Sequence, residues 1–121
     1  MKLIETDFVH INIINDKTVL VEAMEGVEIN HEKSQQANDL IEKEMPGNYG
    51  MIINRKADYS IDPVPVYKIL NQYKNLKAIA IVSPGKVNFL PIETEKFLYH
   101  GKLEIFQEIN EAQDWISKNC A

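Results

Sequence analysis

The sequence predicts an α/β domain with a mixed, mainly parallel sheet, and three observations carry that reading. Residues 7–14 and 18–23 alternate apolar and polar side chains and are joined by Asn15-Asp16, the pattern of an antiparallel hairpin. Downstream, short apolar runs alternate with segments of helical spacing, which implies parallel strands linked by right-handed helical crossovers. The run Ala78-Ile79-Ala80-Ile81-Val82 is apolar on both faces, as a strand covered on both sides must be. The expected order is β-β-α-β-α-β-α-β-α in one domain spanning residues 1–121.

In the first strand Val9, Ile11 and Ile13 share one face, and Phe8, His10, Asn12 and Ile14 the other. Thr18 to Ala23 returns beside it. Asn30 is placed to cap a helix running to about Glu44, with Ala37, Leu40, Ile41 and Met45 as its apolar stripe. Pro46-Gly47-Asn48 ends that helix, and Tyr49 to Ile53 forms a short buried strand. Asp62 is expected to cap the next helix with Pro63 at its first position, where a missing N–H costs nothing. Val66, Tyr67, Leu70 and Tyr73 face inward from it.

Ser83-Pro84-Gly85 breaks the strand that ends at Val82, and a helix is expected from Pro91 to Leu98, closed by His100-Gly101. Leu103, Ile105 and Phe106 mark the last strand. Asn110, with Gln113 three residues on, matches a capping box for a final helix that turns Ala112, Trp115 and Ile116 onto the sheet. Ile52, Leu70, Ile79, Ile81, Trp115 and Ile116 are the expected core.

Composition narrows the function classes. Hydrophobic residues make up 45% and charged residues 26%, an ordinary globular balance. The net charge of −5 and the dispersed lysines argue against a nucleic-acid partner, which needs a basic face. Met1-Lys2-Leu3-Ile4-Glu5-Thr6-Asp7 has acids where a signal peptide needs an apolar core, and no run approaches the ~20 apolar residues of a membrane span. Cys120 is the one cysteine and forms no intrachain disulfide. A cytoplasmic location is expected, with Cys120 a frayed or half-buried terminal residue rather than a redox or dimer thiol.

The densest polar cluster lies between Met51 and Val64, where a strand ends in a turn and a helix opens. Such turns are where ligands and partners meet open α/β sheets. Asp58, Ser60 and Asp62 fall together there, although turn and capping chemistry explains them as well. Arg55, Lys56 and Lys86 are within reach of one anion, but Ser83-Pro84-Gly85-Lys86 is no phosphate loop. His31-Glu32 begins like a zinc-protease helix, yet Gln35 stands where a second His is required. Glu93 and Glu95 are two apart, so a helix points them different ways. No catalytic residue, metal ligand or cofactor is expected. Tyr67, Tyr73, Phe89, Phe97 and Trp115 read mostly as core, with Val87, Phe89 and Leu90 a candidate exposed patch between prolines.

The order of elements resembles the STAS domain, the SpoIIAA-like fold of the bacterial sporulation anti-sigma factor antagonist. The resemblance runs over nearly the whole chain. A hairpin comes first, Gly26-Val27-Glu28-Ile29 leads into the first helix, and Asp62 follows the central strand eight residues after Asn54. Asn110-Glu111-Ala112-Gln113-Asp114-Trp115-Ile116 is similar to the closing helix of the small single-domain members. Regulatory members carry Asp-Ser-Ser/Thr-Gly, whose second hydroxyl is phosphorylated by a kinase that is also the partner. Here that stretch is Asp62-Pro63-Val64-Pro65, so Val64 replaces the phosphorylatable hydroxyl.

The resemblance implies a non-catalytic regulatory module. Its leading form docks a protein through Asp58, Ser60, Asp62, Val64 and Val66, with Ser60 a displaced phosphosite. The alternative is a small binding domain for an apolar or lipid-like ligand held by Tyr67, Phe89 and Leu90. A homodimer is compatible with either.

Overall fold

The computed structural model describes residues 2–57, 59–83 and 93–120. Its main sheet has six strands: β1 (Lys2–Glu5), β2 (Val9–Asn15), β3 (Thr18–Ala23), β5 (Tyr49–Asn54), β7 (Leu76–Val82) and β8 (Lys102–Phe106), in that spatial order. Strands β3, β5, β7 and β8 are parallel, so the sheet is mainly parallel as expected. The antiparallel part is larger than one hairpin. Besides β2 with β3, the N-terminal β1 pairs with β2 from Lys2↔Ile13 to Glu5↔His10. Thr6 turns the chain between them, its Oγ1 accepting from the N–H of Val9 at 3.0 Å. The strand expected from residue 7 therefore begins at Val9.

A second, two-stranded parallel sheet joins β4 (Glu28–Ile29) to β6 (Ser60–Ile61). Helices α1 (His31–Glu44) and α2 (Pro63–Leu70) cover one face of the main sheet, over Val9, Ile11, Val19, Met51, Ile79 and Ile81. Helix α3 (Ile109–Asn119) covers the other, over Ile52, Ala78, Ala80 and Val82. This two-sided cover is the reason for the uninterrupted apolar run in β7. The described part of the helix expected at Pro91 to Leu98 is a helical turn at 93–95 with a turn at 96–98.

Capping agrees at one helix and differs at two. Asn30 Oδ1 accepts from the N–H of Lys33 at 2.9 Å, as expected. Asp62 holds the cap position of α2, but its side chain makes no capping bond. The third helical residue, Pro65, has no N–H to donate, which removes one of the two usual targets. In α3 the cap is Glu108, not Asn110. The helix starts early because Ile109 extends the stripe of Ala112 and Ile116 by one turn against the sheet.

Three expected environments are corrected, the first that of Phe97, expected in the core and 89% exposed. Cys120 is fully buried under α3 rather than frayed, and burial pushes its thiol pKa up. It fits because Gly50 below it has no side chain. A Cβ there would lie 2.7 Å from Ile116 Cγ2 and 2.9 Å from Cys120 Sγ.

Trp115 is half-buried at the margin of the same layer, its ring 5.7 Å from that of Phe106. Full burial would make Trp115→Ala cost about 3–5 kcal/mol. At the margin, with one aromatic pair lost and part of the ring wet, about 1–2 kcal/mol is expected. Urea unfolding of the variant checks it, and a loss above about 3 kcal/mol would return Trp115 to the core.

Candidate functional site

Helices α1 and α2 do not close completely on the sheet. A cavity of about 60 Å³ remains between them and strands β2, β3 and β5. Val21, Met51 and Ile53 contribute from the sheet, Ala37 and Ile41 from α1, and Val66, Tyr67 and Leu70 from α2. Tyr59, Ile29 and Ile61 line it from the loops before the helices. The small β4–β6 sheet ties those loops together, with Ser60 N–H donating to Val27 O at 3.0 Å and Asp62 N–H to Ile29 O at 3.1 Å. Lys33, also in the lining, donates from Nζ to Glu28 O at 3.0 Å.

Two buried polar residues, Ser34 and Asn38, stand in this apolar wall. Asn38 is 3% exposed, and its Nδ2 donates to Ser34 O at 2.9 Å. The Ser34 carbonyl only accepts, so the amide nitrogen must face it and the oxygen must face away. That oxygen, Oδ1, is buried and has no hydrogen-bond partner among the described residues.

Beside the cavity lies a buried ion pair. Arg55, just past the end of β5, grips Glu95 with two hydrogen bonds of 2.6 Å, Nη1 to Oε2 and Nη2 to Oε1. The Tyr67 hydroxyl donates to Glu95 Oε1 at 2.6 Å, so the same side chain walls the cavity and closes the ion pair. Burial is the largest influence and works against the Arg55 charge; the Glu95 hydrogen bonds and the charges of Tyr59, Glu95 and Tyr67 together outweigh it and hold the guanidinium protonated. Burial, with the Glu95 charge adding to it, raises the Tyr67 pKa well above its ordinary value. Tyr59 is also raised by burial, against the opposing pull of Arg55. Asn71 holds the same segment further on, donating to Leu98 O at 2.9 Å and accepting from His100 N–H at 2.8 Å.

The residues singled out from the sequence fall into separate places. Ser60 in β6, the cap residue Asp62 and Val64 in the first turn of α2 are exposed, with Val64 62% exposed. Val66, grouped with them by sequence, is buried and walls the cavity instead. Tyr67 walls it too, while Asp58, Phe89 and Leu90 lie outside the described residues, as do Val87 and Lys86. Arg55 is not free for an anion because Glu95 occupies it, and Lys56 pairs with Glu22 Oε2 at 3.1 Å. Glu93 and Glu95 do diverge: Glu93 is exposed near Lys96, and Glu95 is buried.

Asn38 and Glu95 are the site residues that sequence reasoning misses. Asn38 had a signal, since Ser34, Asn38 and Ile41 fall at helical spacing on the inward arc of α1.

Among the described residues no group of His, Cys, Asp or Glu is placed to hold a metal ion. No helix among them is long and apolar enough to cross a membrane. No family model and no curated protein sequence matches the chain. A solved structure does. It is an uncharacterized protein of the DUF3478 family from Shewanella loihica PV-4 with a SpoIIAA-like fold. The match covers 89% of this chain and 91% of that one at a TM-score of 0.60 and 20% sequence identity. The chain thus has a SpoIIAA-like fold.

Proposed function

We propose that this SpoIIAA-like chain is a non-catalytic binding module whose seat is the cavity between α1, α2 and the sheet, and whose ligand is small and mainly apolar. The observation that carries the reading is the cavity itself. Protein interiors pack to near-crystalline density and leave few voids larger than a water molecule, yet about 60 Å³ stays open here at the centre of the larger apolar layer. Apolar concave sites with a few placed polar groups are the usual form of small-ligand seats. The strongest charges nearby, Arg55 and Glu95, neutralise each other, which supports binding over chemistry.

A second reading, protein docking, is favoured by Val64, which stands 62% exposed beside exposed Ser60 and Asp62. Val64 also takes no phosphate, so control of such docking would act elsewhere.

Xenon and methyl NMR separate the two. Xenon is expected to shift the methyls of Ile41, Met51 and Val66 saturably, and Ala37→Leu, which fills the void, to abolish the shifts. The absence of xenon shifts at these methyls in the wild type would sink the ligand reading. In the other arm Val64→Glu is expected to change stability by less than about 0.5 kcal/mol, as an exposed acid in a first helical turn does. Loss of a saturable protein complex with that variant, and not with Ala37→Leu, would put docking first.

A further inference from the structure

We infer that the molecule seated in this cavity is a small neutral amphiphile whose head group donates a hydrogen bond, an alcohol by chemical class, and that Asn38 Oδ1 is the acceptor that recognises it. The inference rests on the cavity being the binding seat.

Three observations lead to it. Asn38 is 3% exposed and walls the cavity, yet its Oδ1 has no partner among the described residues. A buried acceptor left unsatisfied costs far more than an ordinary hydrogen bond contributes, so such groups are found where something else supplies the donor. The orientation of the amide is fixed, because Nδ2 already donates to Ser34 O at 2.9 Å. The free end is therefore an acceptor only, and its partner must be a donor.

The rest of the lining limits the head group further. Lys33 is the charged side chain in it, and its ammonium is engaged with Glu28 O at 3.0 Å. A carboxylate placed at Asn38 would set acceptor against acceptor. An ammonium would enter an apolar wall with at most Asn38 Oδ1 and the Ser34 hydroxyl to meet it, too little to replace its water. A hydroxyl needs one acceptor and brings little charge. Size sets the tail. The cavity is well below the ~150 Å³ that accepts benzene in an engineered apolar site, so a short aliphatic chain fits and a long one requires α1 and α2 to part.

The test compares isomers. Ethanol and dimethyl ether have the same atoms, but only the alcohol donates. Binding is read from the methyl shifts of Ile41, Met51 and Val66, with xenon as the purely apolar probe and acetate as the acid. On the wild type the alcohol is expected to bind about tenfold more tightly than the ether. In Asn38→Leu, checked for folding by its melt, that preference is expected to fall below about twofold while xenon still binds.

Equal binding of alcohol and ether on the wild type would overturn the head-group assignment and leave the seat standing, including the case where a water holds Asn38. Tightest binding by acetate, lost in Lys33→Met, would overturn it in favour of an acid. Failure of every probe, xenon included, would remove the seat and this inference together. The wild-type comparison decides the matter even where the variant does not fold.

Discussion

Glu95→Ala is expected to destabilise the fold by about 3–5 kcal/mol, the cost of breaking a buried pair and leaving its partner charge uncompensated. The stranded charge is Arg55, whose side chain is 12% exposed, against 5% for Glu95. Tyr67 would lose its acceptor at the same time. The size of the loss reflects the orphaned groups and not the worth of the pair. Arg55→Met with Glu95→Leu and Tyr67→Phe removes all three polar ends together and is expected to be much more stable than Glu95→Ala alone. Urea unfolding of the single and the triple variant measures both. A loss below about 1 kcal/mol in Glu95→Ala would mean that water reaches Arg55 and solvates it. A triple variant no better than the single would mean that the network is worth more than its desolvation cost.

This pair also marks where sequence legibility ends. Arg55 and Glu95 are 40 residues apart, and nothing local in either segment predicts the meeting. Residue spacing shows only that Glu95 and Glu93 point apart. Periodic signals carry over well: the apolar run Ala78–Val82 becomes an inner, doubly covered strand, and Asn30 caps α1 through its side chain.

Signals weaken where an element is short or is defined by a distant partner. β1 is four residues with Lys2 and Glu5 at its ends, too brief for a period of two to stand out, and pairing with β2 makes it a strand. The two-residue strands β4 and β6 exist only through each other. At Asp62 the local rule was outweighed by another local fact, a proline at the third helical position. The cavity was illegible for a different reason. Periodicity tells which side chains turn inward, but not whether they fill the space they enclose.

The fold is expected to lose stability steeply as pH rises above about 10. All five tyrosines have raised pKa values. Burial is the leading cause in each case, because it disfavours the phenolate. Tyr99 is pushed up to about 12. Its hydroxyl donates to Leu76 O at 3.1 Å, a bond the phenolate cannot make.

The direction follows from proton counts. Below the unfolded value near 10, both states hold the proton and stability is independent of pH on this account. Above it the unfolded chain gives up tyrosine protons that the native state keeps. The unfolded state then binds fewer protons, and stability falls with pH until the native groups titrate as well. Each such proton costs about 1.4 kcal/mol per pH unit. Tyr49, Tyr67 and Tyr99 are buried, so their joint effect by about pH 11 is on the order of 4 kcal/mol, a large part of the ~5–15 kcal/mol a domain has.

The urea midpoint is therefore expected to be flat below about pH 8, to fall slightly toward about pH 9 as the unfolded chain releases the Cys120 proton that burial retains in the fold, and to drop sharply by about pH 11. Ultraviolet absorbance should show the phenolates of these three appearing together with unfolding rather than before it. Phenolate formation near pH 10 in a chain that stays folded would mean that Tyr67 and Tyr99 are open to solvent. The wall of the cavity would then be looser than its geometry shows.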